Sequence, residues 1–474
     1  MELLLNVQQI DGLDDGERGK LSKLLTVYQN RWFKNAEKEK YYEGKVTLGD
    51  VNLGIALPEG MAKLEIGCSW GAKTVDVLAA RSMFDGFVGQ DGRVVEELER
   101  IVRNNNLIAE YMKACRDELK FGCTFATLSA DPQLGCKIRF HSPKTAAAIW
   151  NGENGRIDCG FAIIDTVPSN VNEVAWEPSI INLYTDDAIV VLRRDELHIW
   201  HAERHPHRMG RPMMEALIWN ATSGKPFGRS RIKEPIRRLI DGYVRTIANA
   251  TIGLEFSTAP QKYLLGATED QVNKVINEKF RQYVGGIISS TVNPDTGEKP
   301  TFGQLPQGSI TPHVEMIRVL ATQFSAATGL SFTDTGVVND ANPTSSEAII
   351  AQTQTLIGMA EQLNTGNGDA LRTIAMMATA ITQRTTLEGL TTEQRDVIAH
   401  FKNPAMPSVA STADAAIKIA SVRPEFAMTD IFAEMIGFDQ ADIRRIKAQE
   451  ARLRGMQVLQ DLGVNNDDTG ENLG

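Results

Sequence analysis

Apolar residues recur near the start of the chain at three- and four-residue steps. Leu21, Leu24, Leu25, Tyr28 and Trp32 fall on one face of a helix. The spacing predicts that helix over about residues 16–43, with the carboxylates of Asp11, Asp14 and Asp15 placed to cap its start and Tyr41-Tyr42-Glu43-Gly44 as a polar turn after it. Further helices are predicted over about 73–84, 92–105 and 107–121. Between residues 124 and 197 the period shortens. The runs 137–141, 159–165, 180–184 and 188–193 are β-rich and separated by Gly, Pro, Asn and Asp, which reads as an antiparallel sheet inserted among helices.

Helical spacing returns over 229–252 through Ile232, Ile236, Leu239, Ile240, Val244 and Ile247. A mixed stretch, 258–309, carries turn signals at Asn293-Pro294-Asp295 and Pro306-Gln307-Gly308. Thr311-Pro312 is then expected to open a helix, Thr as its cap and Pro in its first turn, with Ile317, Leu320 and Phe324 on one face. A polar loop over 329–343 leads to a capping box, Thr344-Ser345-Ser346-Glu347, and a helix toward Arg384 with a kink expected at Gly366-Asn367-Gly368. The remainder reads as helical, and residues 465–474 as a frayed acidic tail. The fold class is α+β, mainly helical, without an internal repeat.

Length and charge narrow the function. At 474 residues there is chain for about three domains. With 42% hydrophobic and 23% charged residues, a buried core is expected. The net charge is -10, whereas a protein that grips duplex DNA carries a basic excess, because phosphate contacts supply most of the affinity. Static DNA binding is therefore not expected of one subunit. The five cysteines (Cys68, Cys115, Cys123, Cys136, Cys159) form no C-x-x-C pair and read as free thiols in a reducing compartment. No signal peptide is evident, and no stretch approaches the roughly 20 apolar residues of a membrane span.

Candidate chemistry is sparse. Gly67-Cys68-Ser69-Trp70-Gly71-Ala72-Lys73-Thr74 comes within one residue of a phosphate-binding P-loop, but Ala72 stands where glycine lets backbone amides curl around phosphate, so a plain loop-to-helix turn is expected. His198, His201, His205 and His207 cluster without the spacing of a zinc finger or an H-E-x-x-H helix and read as surface or turn histidines. No G-x-S-x-G elbow or other nucleophile motif is present. No catalytic, cofactor or metal residue is assigned. Basic residues gather at Arg229, Arg231, Lys233, Arg237 and Arg238, a solvated helix face or a transient contact for a polyanion.

Five segments in order carry a resemblance. They are Tyr41-Tyr42-Glu43-Gly44 followed by Leu53-Gly54-Ile55; residues 70–87, W-x-x-x-V-x-x-x-A-x-R closing on G-F; and residues 204–232, where Gly210-Arg211-Pro212 precedes Gly228-Arg229-Ser230. The fourth spans 317–350, with Thr328-Gly329-Leu330 and Asn342-Pro343 before Ser345-Ser346-Glu347-Ala348. The fifth spans 403–446, with Asn403-Pro404, Pro407-Ser408, Ala413-Asp414-Ala415, Lys418 and Ile436-Gly437-Phe438. Together the chain resembles portal proteins of long-tailed bacteriophages, in the branch common among actinobacterial phages. It departs from them at Ser331, where relatives carry Pro, and in the looser Gly366-Asn367-Gly368 interruption.

The resemblance implies a ring, usually of twelve subunits, at one capsid vertex, a conduit for DNA packaging and ejection. The implied partners are further copies of itself, double-stranded viral DNA, the terminase motor, major capsid and scaffolding proteins and a head-tail connector, with no membrane. It implies a wing over 1–228, stem helices over 229–256 and 312–328, a clip over 257–311, a tunnel loop over 329–343, a long wing helix over 344–386 and a crown with tail over 387–474. The DNA-facing candidates are Ser331, Thr333, Asp334, Thr335, Asn339, Asp340 and Asn342 in the loop; the candidate phosphate contacts are Arg229, Arg231 and Lys233. A nucleotide-using enzyme, or another connector or capsid-interior protein, is the alternative.

Overall fold

The computed structural model describes residues 3, 5–51, 63, 65–90, 95–168, 176–258, 262–265, 292, 297, 299, 301–304, 309–337, 346–405, 409–438 and 440–467. It divides into two units, Met1–Pro404 and Ala405–Gly474.

In the first unit Asp14 caps α1 (Asp15–Tyr42) in a reciprocal box: its carboxylate accepts the Glu17 amide at 2.7 Å, and Glu17 Oε2 accepts the Asp14 amide at 3.1 Å. Leu21, Leu24, Leu25 and Tyr28 are buried, as their spacing requires. The next helix, α2 (Trp70–Ala79), corrects the expectation of 73–84, because Phe84 belongs to a strand, β1 (Phe84–Val88). That strand exists because a distant segment, Ile398–Phe401, pairs with it antiparallel. α3 (Glu96–Asn104) and α4 (Leu107–Phe121) follow, and α4 stops at Gly122, whose φ of 111° no L side chain adopts readily.

Eight strands come next: β2 (Cys123–Asp131), β3 (Gly135–His141), β4 (Ala146–Asn151), β5 (Arg156–Pro168), β6 (Trp176–Tyr184), β7 (Ala188–Arg194), β8 (Trp200–Pro206) and β9 (Met214–Ile218). They form two antiparallel sheets, β3-β2-β9 and a meander β4-β5-β6-β7-β8. The sheet region therefore runs past residue 197. β8 is largely exposed and polar; only Trp200 and Ala202 alternate toward the core, too short an apolar pattern to mark a strand.

α5 (Glu234–Thr258) begins later than the predicted 229, because the five residues before it are pinned in a non-helical path. β10 (Lys262–Leu265) and β11 (Thr301–Gln304) form a two-stranded ribbon. In α6 (Thr311–Thr328) the cap position is Ile310, with no side-chain cap, and Thr311 is already helical; Ser309 Oγ accepts its amide at 3.2 Å. That corrects the expected Thr cap, while Pro312 does sit in the first turn. α7 (Ser346–Gln383) is helical throughout, Gly366-Asn367-Gly368 included, and Asn367 is fully buried. The capping residues Thr344 and Ser345 lie outside the described residues. α8 (Thr392–Arg395) and β12 (Ile398–Phe401) complete this unit.

Two cores hold it. In the smaller, Leu3, Val7, Ile10 and Leu13 pack with α1 against Phe161, Ile163, Ile181, Leu183, Val190 and Leu192 of the five-stranded sheet. Each such side chain contributes roughly 1.5–3 kcal/mol on burial. Arg18 fastens this segment by donating to the carbonyls of Val7, Gln8, Ile10 and Leu13 at 3.0–3.2 Å. The larger core joins α2–α7 with the three-stranded sheet. The second unit holds α9 (Val409–Val422), α10 (Asp430–Ile436) and α11 (Gln440–Asp467). Thr429 caps α10, accepting the Phe432 amide at 3.3 Å, and Lys447 pairs with Asp430 at 2.6 Å. This unit leaves Ile417, Val422, Met428 and Ile431 exposed.

Candidate functional site

Of the residues singled out for contact with a polyanion, Arg231, Ser331, Thr333, Asp334 and Thr335 lie around the end of α6. α5 and α6 pack through Ile236, Ile240, Val244 and Ala248 on one side and Leu320, Ala321 and Phe324 on the other. At Gly242 a Cβ would meet Leu320 Cδ2 at 3.1 Å, so the helices approach closely there. Trp70 of α2 stacks on Phe324, with ring centroids 4.6 Å apart at 23°, and leans on Tyr243, also at 4.6 Å. Its Nε1 donates to the Thr335 carbonyl at 3.0 Å, so one buried indole ties the α5–α6 pair to the loop that follows.

α6 ends at Gly329, φ 71°, where a Cβ would meet Met359 Cε of α7 at 2.7 Å. Ser325 Oγ donates to the Leu330 carbonyl at 2.6 Å, and Leu330 is buried. A short turn, Phe332–Thr335, carries its own capping box: Ser331 Oγ donates to Asp334 Oδ2 at 2.7 Å and the Ser331 amide donates to the same oxygen at 3.2 Å. Thr335 is buried and its hydroxyl donates to the Phe332 carbonyl at 2.6 Å; Thr333 is exposed. The first half of the loop is thus a built turn rather than a free strand of polar residues. Asn339, Asp340 and Asn342 lie outside the described residues.

The three basic candidates separate. Arg229 and Lys233 are exposed. Arg231 is buried, 7% exposed, and its guanidinium donates to the carbonyls of Thr74 at 2.6 Å and Thr328 at 2.8 Å, with Met359 Sδ at 3.1 Å. Thr328 is the last residue of α6, whose C-terminal carbonyls favour a cation. Burial pulls the Arg231 pKa down to about 10, which leaves it charged at neutral pH. Its position makes it a clamp joining α2, α6 and α7 rather than a surface phosphate contact.

The Gly228-Arg229-Ser230 turn has the same purpose. Gly228 has φ 66°, and a Cβ there would overlap the Trp219 carbonyl oxygen and lie 2.8 Å from that of Gly122. Ser230 Oγ donates to the Lys120 carbonyl at 2.6 Å and the Arg231 amide to that of Leu119 at 2.9 Å, so the turn is sewn to the end of α4. Sequence reasoning marked the motif but not the clamp. The paired glycines at 122 and 228 were the available signal, since a close backbone approach demands them.

The near-P-loop resolves differently from a nucleotide cradle. Trp70 is buried in the core, Lys73 is exposed, and a Cβ on Gly71 would overlap the Tyr41 carbonyl; this glycine lets α2 start against the end of α1. Of the histidines, His198 occupies a turn at φ 63°. His201 lies between Asp195 at 3.1 Å and Asp11 at 3.5 Å, where hydrogen bonding to Asp195 and then to Asp11 raises its pKa despite the opposing pull of desolvation. His205 faces Glu203 at 3.4 Å, and His207 is half-buried. Among the described residues no three His, Cys, Asp or Glu side chains converge as a metal site, and no helix is long and apolar enough to cross a membrane.

A family model described as phage portal protein, SPP1 Gp6-like, matches residues 21–453. Comparison with curated proteins yields no significant match. Among solved structures, the neck of an empty GTA particle computed with C6 symmetry is 12% identical with a TM-score of 0.44, covering 75% of this chain and 87% of that one. The neck of a native GTA particle computed with C12 symmetry is 12% identical with a TM-score of 0.43, covering 78% and 90%.

Proposed function

Because the chain belongs to the SPP1 Gp6-like family of phage portal proteins and is a portal ring protein of the virion, we propose how its parts work in a ring at one capsid vertex. The match over 21–453 is the observation that carries this reading. The order of the five sequence segments favours the branch common among actinobacterial phages.

The stem takes residues 229–256 and 312–328, built on α5 and α6, residues 257–311 form the clip that faces the terminase motor, and residues 1–228 with α7 the wing. We start the crown at residue 405 rather than 387, because residues up to 404 are built into the first unit through the β1–β12 pair. The loop over 329–343 faces the tunnel, with Thr333 toward the duplex and Arg229 and Lys233 as phosphate contacts. Arg231 and Thr335 hold the loop in place from behind. The capsid shell, scaffolding protein and head-tail connector dock on the outer surfaces, and assembly takes place in the host cytoplasm.

Electrostatics supports a conduit. At -10 per subunit, a twelve-fold ring carries on the order of a hundred negative charges, so its field repels DNA. Deep binding wells along the path would stall translocation, and a few sequence-independent phosphate contacts suffice to centre the duplex. On this reading the protein has no chemistry of its own, and the P-loop resemblance is incidental. Electron microscopy of the purified protein tests the proposal. Annular particles with a channel of duplex width are expected; monomers or dimers alone at assembly concentrations refute it. Thr333→Glu should then impair packaging while rings still form.

A further inference from the structure

A cluster of buried polar groups lies where α4 meets the middle of α7, away from the loop and the stem. Ser82, Tyr111, Cys115, Glu118 and Asn367 are all 0% exposed. Asn367 Nδ2 donates to Glu118 Oε2 at 2.8 Å and to Tyr111 Oη at 2.9 Å, and Ser82 Oγ lies 2.6 Å from Tyr111 Oη. Glu118 Oε1 and Asn367 Oδ1 are buried without a partner. This single amide is the only hydrogen bond the Glu118 carboxyl makes among the described residues.

The groups around Glu118 offer no counter-charge. On α4 itself its neighbours are Tyr111 and Cys115, and Arg116 is turned to Asp76 at 3.6 Å. β2 contributes Cys123, and the turn after α2 contributes Ser82. On α1 the cation Lys38 has its Nζ engaged by the Phe121 carbonyl at 2.9 Å and by Asn35 Oδ1 at 3.2 Å. α7 contributes Asn367. A carboxylate with one neutral donor and no cation is poorly held in a dry interior, whereas the acid form requires far less. Asn367 sits between Gly366 and Gly368, so the intrinsic helix propensity of α7 is low where this anchor holds it.

We propose that Glu118 keeps its proton at neutral pH and acts through Asn367 as a proton-held latch between α4 and the middle of α7, one that loosens as the pH rises. Burial raises the Glu118 pKa from 4.5 to about 8, in keeping with that geometry. For an acid raised in this way, the closed state holds a proton that the open state has released. The latch is therefore at full strength below about 4.5, weakens between there and about 8, and changes little beyond.

Hydrogen exchange of the intact protein, corrected for the intrinsic pH dependence of exchange, tests this. From pH 5 to 8, protection over residues 111–121 and 360–375 should fall by up to about tenfold per pH unit, while β5, β6 and β7 keep theirs. In Glu118→Gln, which keeps the shape and removes the proton, the local protection should be flat with pH. A flat wild-type profile, a fall shared equally by β5–β7, or an undiminished slope in the Gln variant each overturns the latch. Should the variant not fold, confinement of the wild-type fall to the two segments decides alone.

Discussion

Three glycines permit one experiment that separates backbone strain from steric contact. Gly210 has φ 63° with nothing within 4 Å of where a Cβ would stand, so Gly210→Ala carries only the left-handed backbone penalty, about 1 kcal/mol. Gly71 is helical, where Ala would gain roughly 0.5–1 kcal/mol in propensity, but the new Cβ would overlap the Tyr41 carbonyl oxygen and lie 2.7 Å from its carbon. Both obstacles are backbone, so α2 must shift, and Trp70 beside it leaves its place between Phe324 and Tyr243; overpacking of this kind costs about 1–3 kcal/mol. Gly228 combines the two. To admit a Cβ, the bonds from Trp219 N to Gly122 O and from Arg229 N to Trp219 O, both 3.0 Å, must open. Each buried group left unpaired costs about 1–3 kcal/mol, so Gly228→Ala should lose about 4–6 kcal/mol, a large part of what holds a domain folded. Urea unfolding at a fixed protein concentration measures all three. Gly228→Ala is expected to be the most damaging of the three. If Gly228→Ala lies within about 1 kcal/mol of Gly210→Ala, the close approach argued for the Gly-Arg-Ser turn is wrong.

Two further outcomes are expected. Burial lowers the His141 pKa from 6.5 to about 4, so the unfolded chain binds a proton over that interval that the folded one refuses. Stability should drop as the pH falls from 6.5 toward 4, by up to about 3 kcal/mol, and His141→Gln should flatten that acid limb in denaturation midpoints. Trp70→Phe keeps the stacking on Phe324 but removes the donor to the Thr335 carbonyl. It should cost about 1–2 kcal/mol and hasten limited proteolysis within residues 330–337, an effect that unchanged cleavage kinetics would disprove.

Much of the helical framework was legible because its determinants are local. Leu21, Leu24, Leu25 and Tyr28 repeat at the helical period, Asp14 and Glu17 are three apart, and α4 spans Leu107–Phe121 as its spacing predicts. The acidic balance, too, is independent of how the chain folds, and it already argued against a DNA-gripping protein. The order of short motifs along the chain pointed to the portal family that the match over 21–453 shows.

What lay beyond reach depended on partners distant in sequence. Phe84–Val88 is a strand only because Ile398–Phe401 lies beside it, and β8 is held by its neighbour rather than by an apolar pattern. Arg231, beside two exposed basic residues, reads as part of a basic patch until Thr74 within α2 and Thr328 at the end of α6 supply carbonyls that take its charge indoors. Likewise Gly366-Asn367-Gly368 reads by propensity only as a weak point in the helix, whereas the buried carboxyl of Glu118 and the Tyr111 hydroxyl give Asn367 a reason to face inward. Periodicity, capping and net charge act within a few residues or over the whole chain, and so the sequence alone determines them. Desolvation and pairing depend on what surrounds a group, which only the tertiary structure decides.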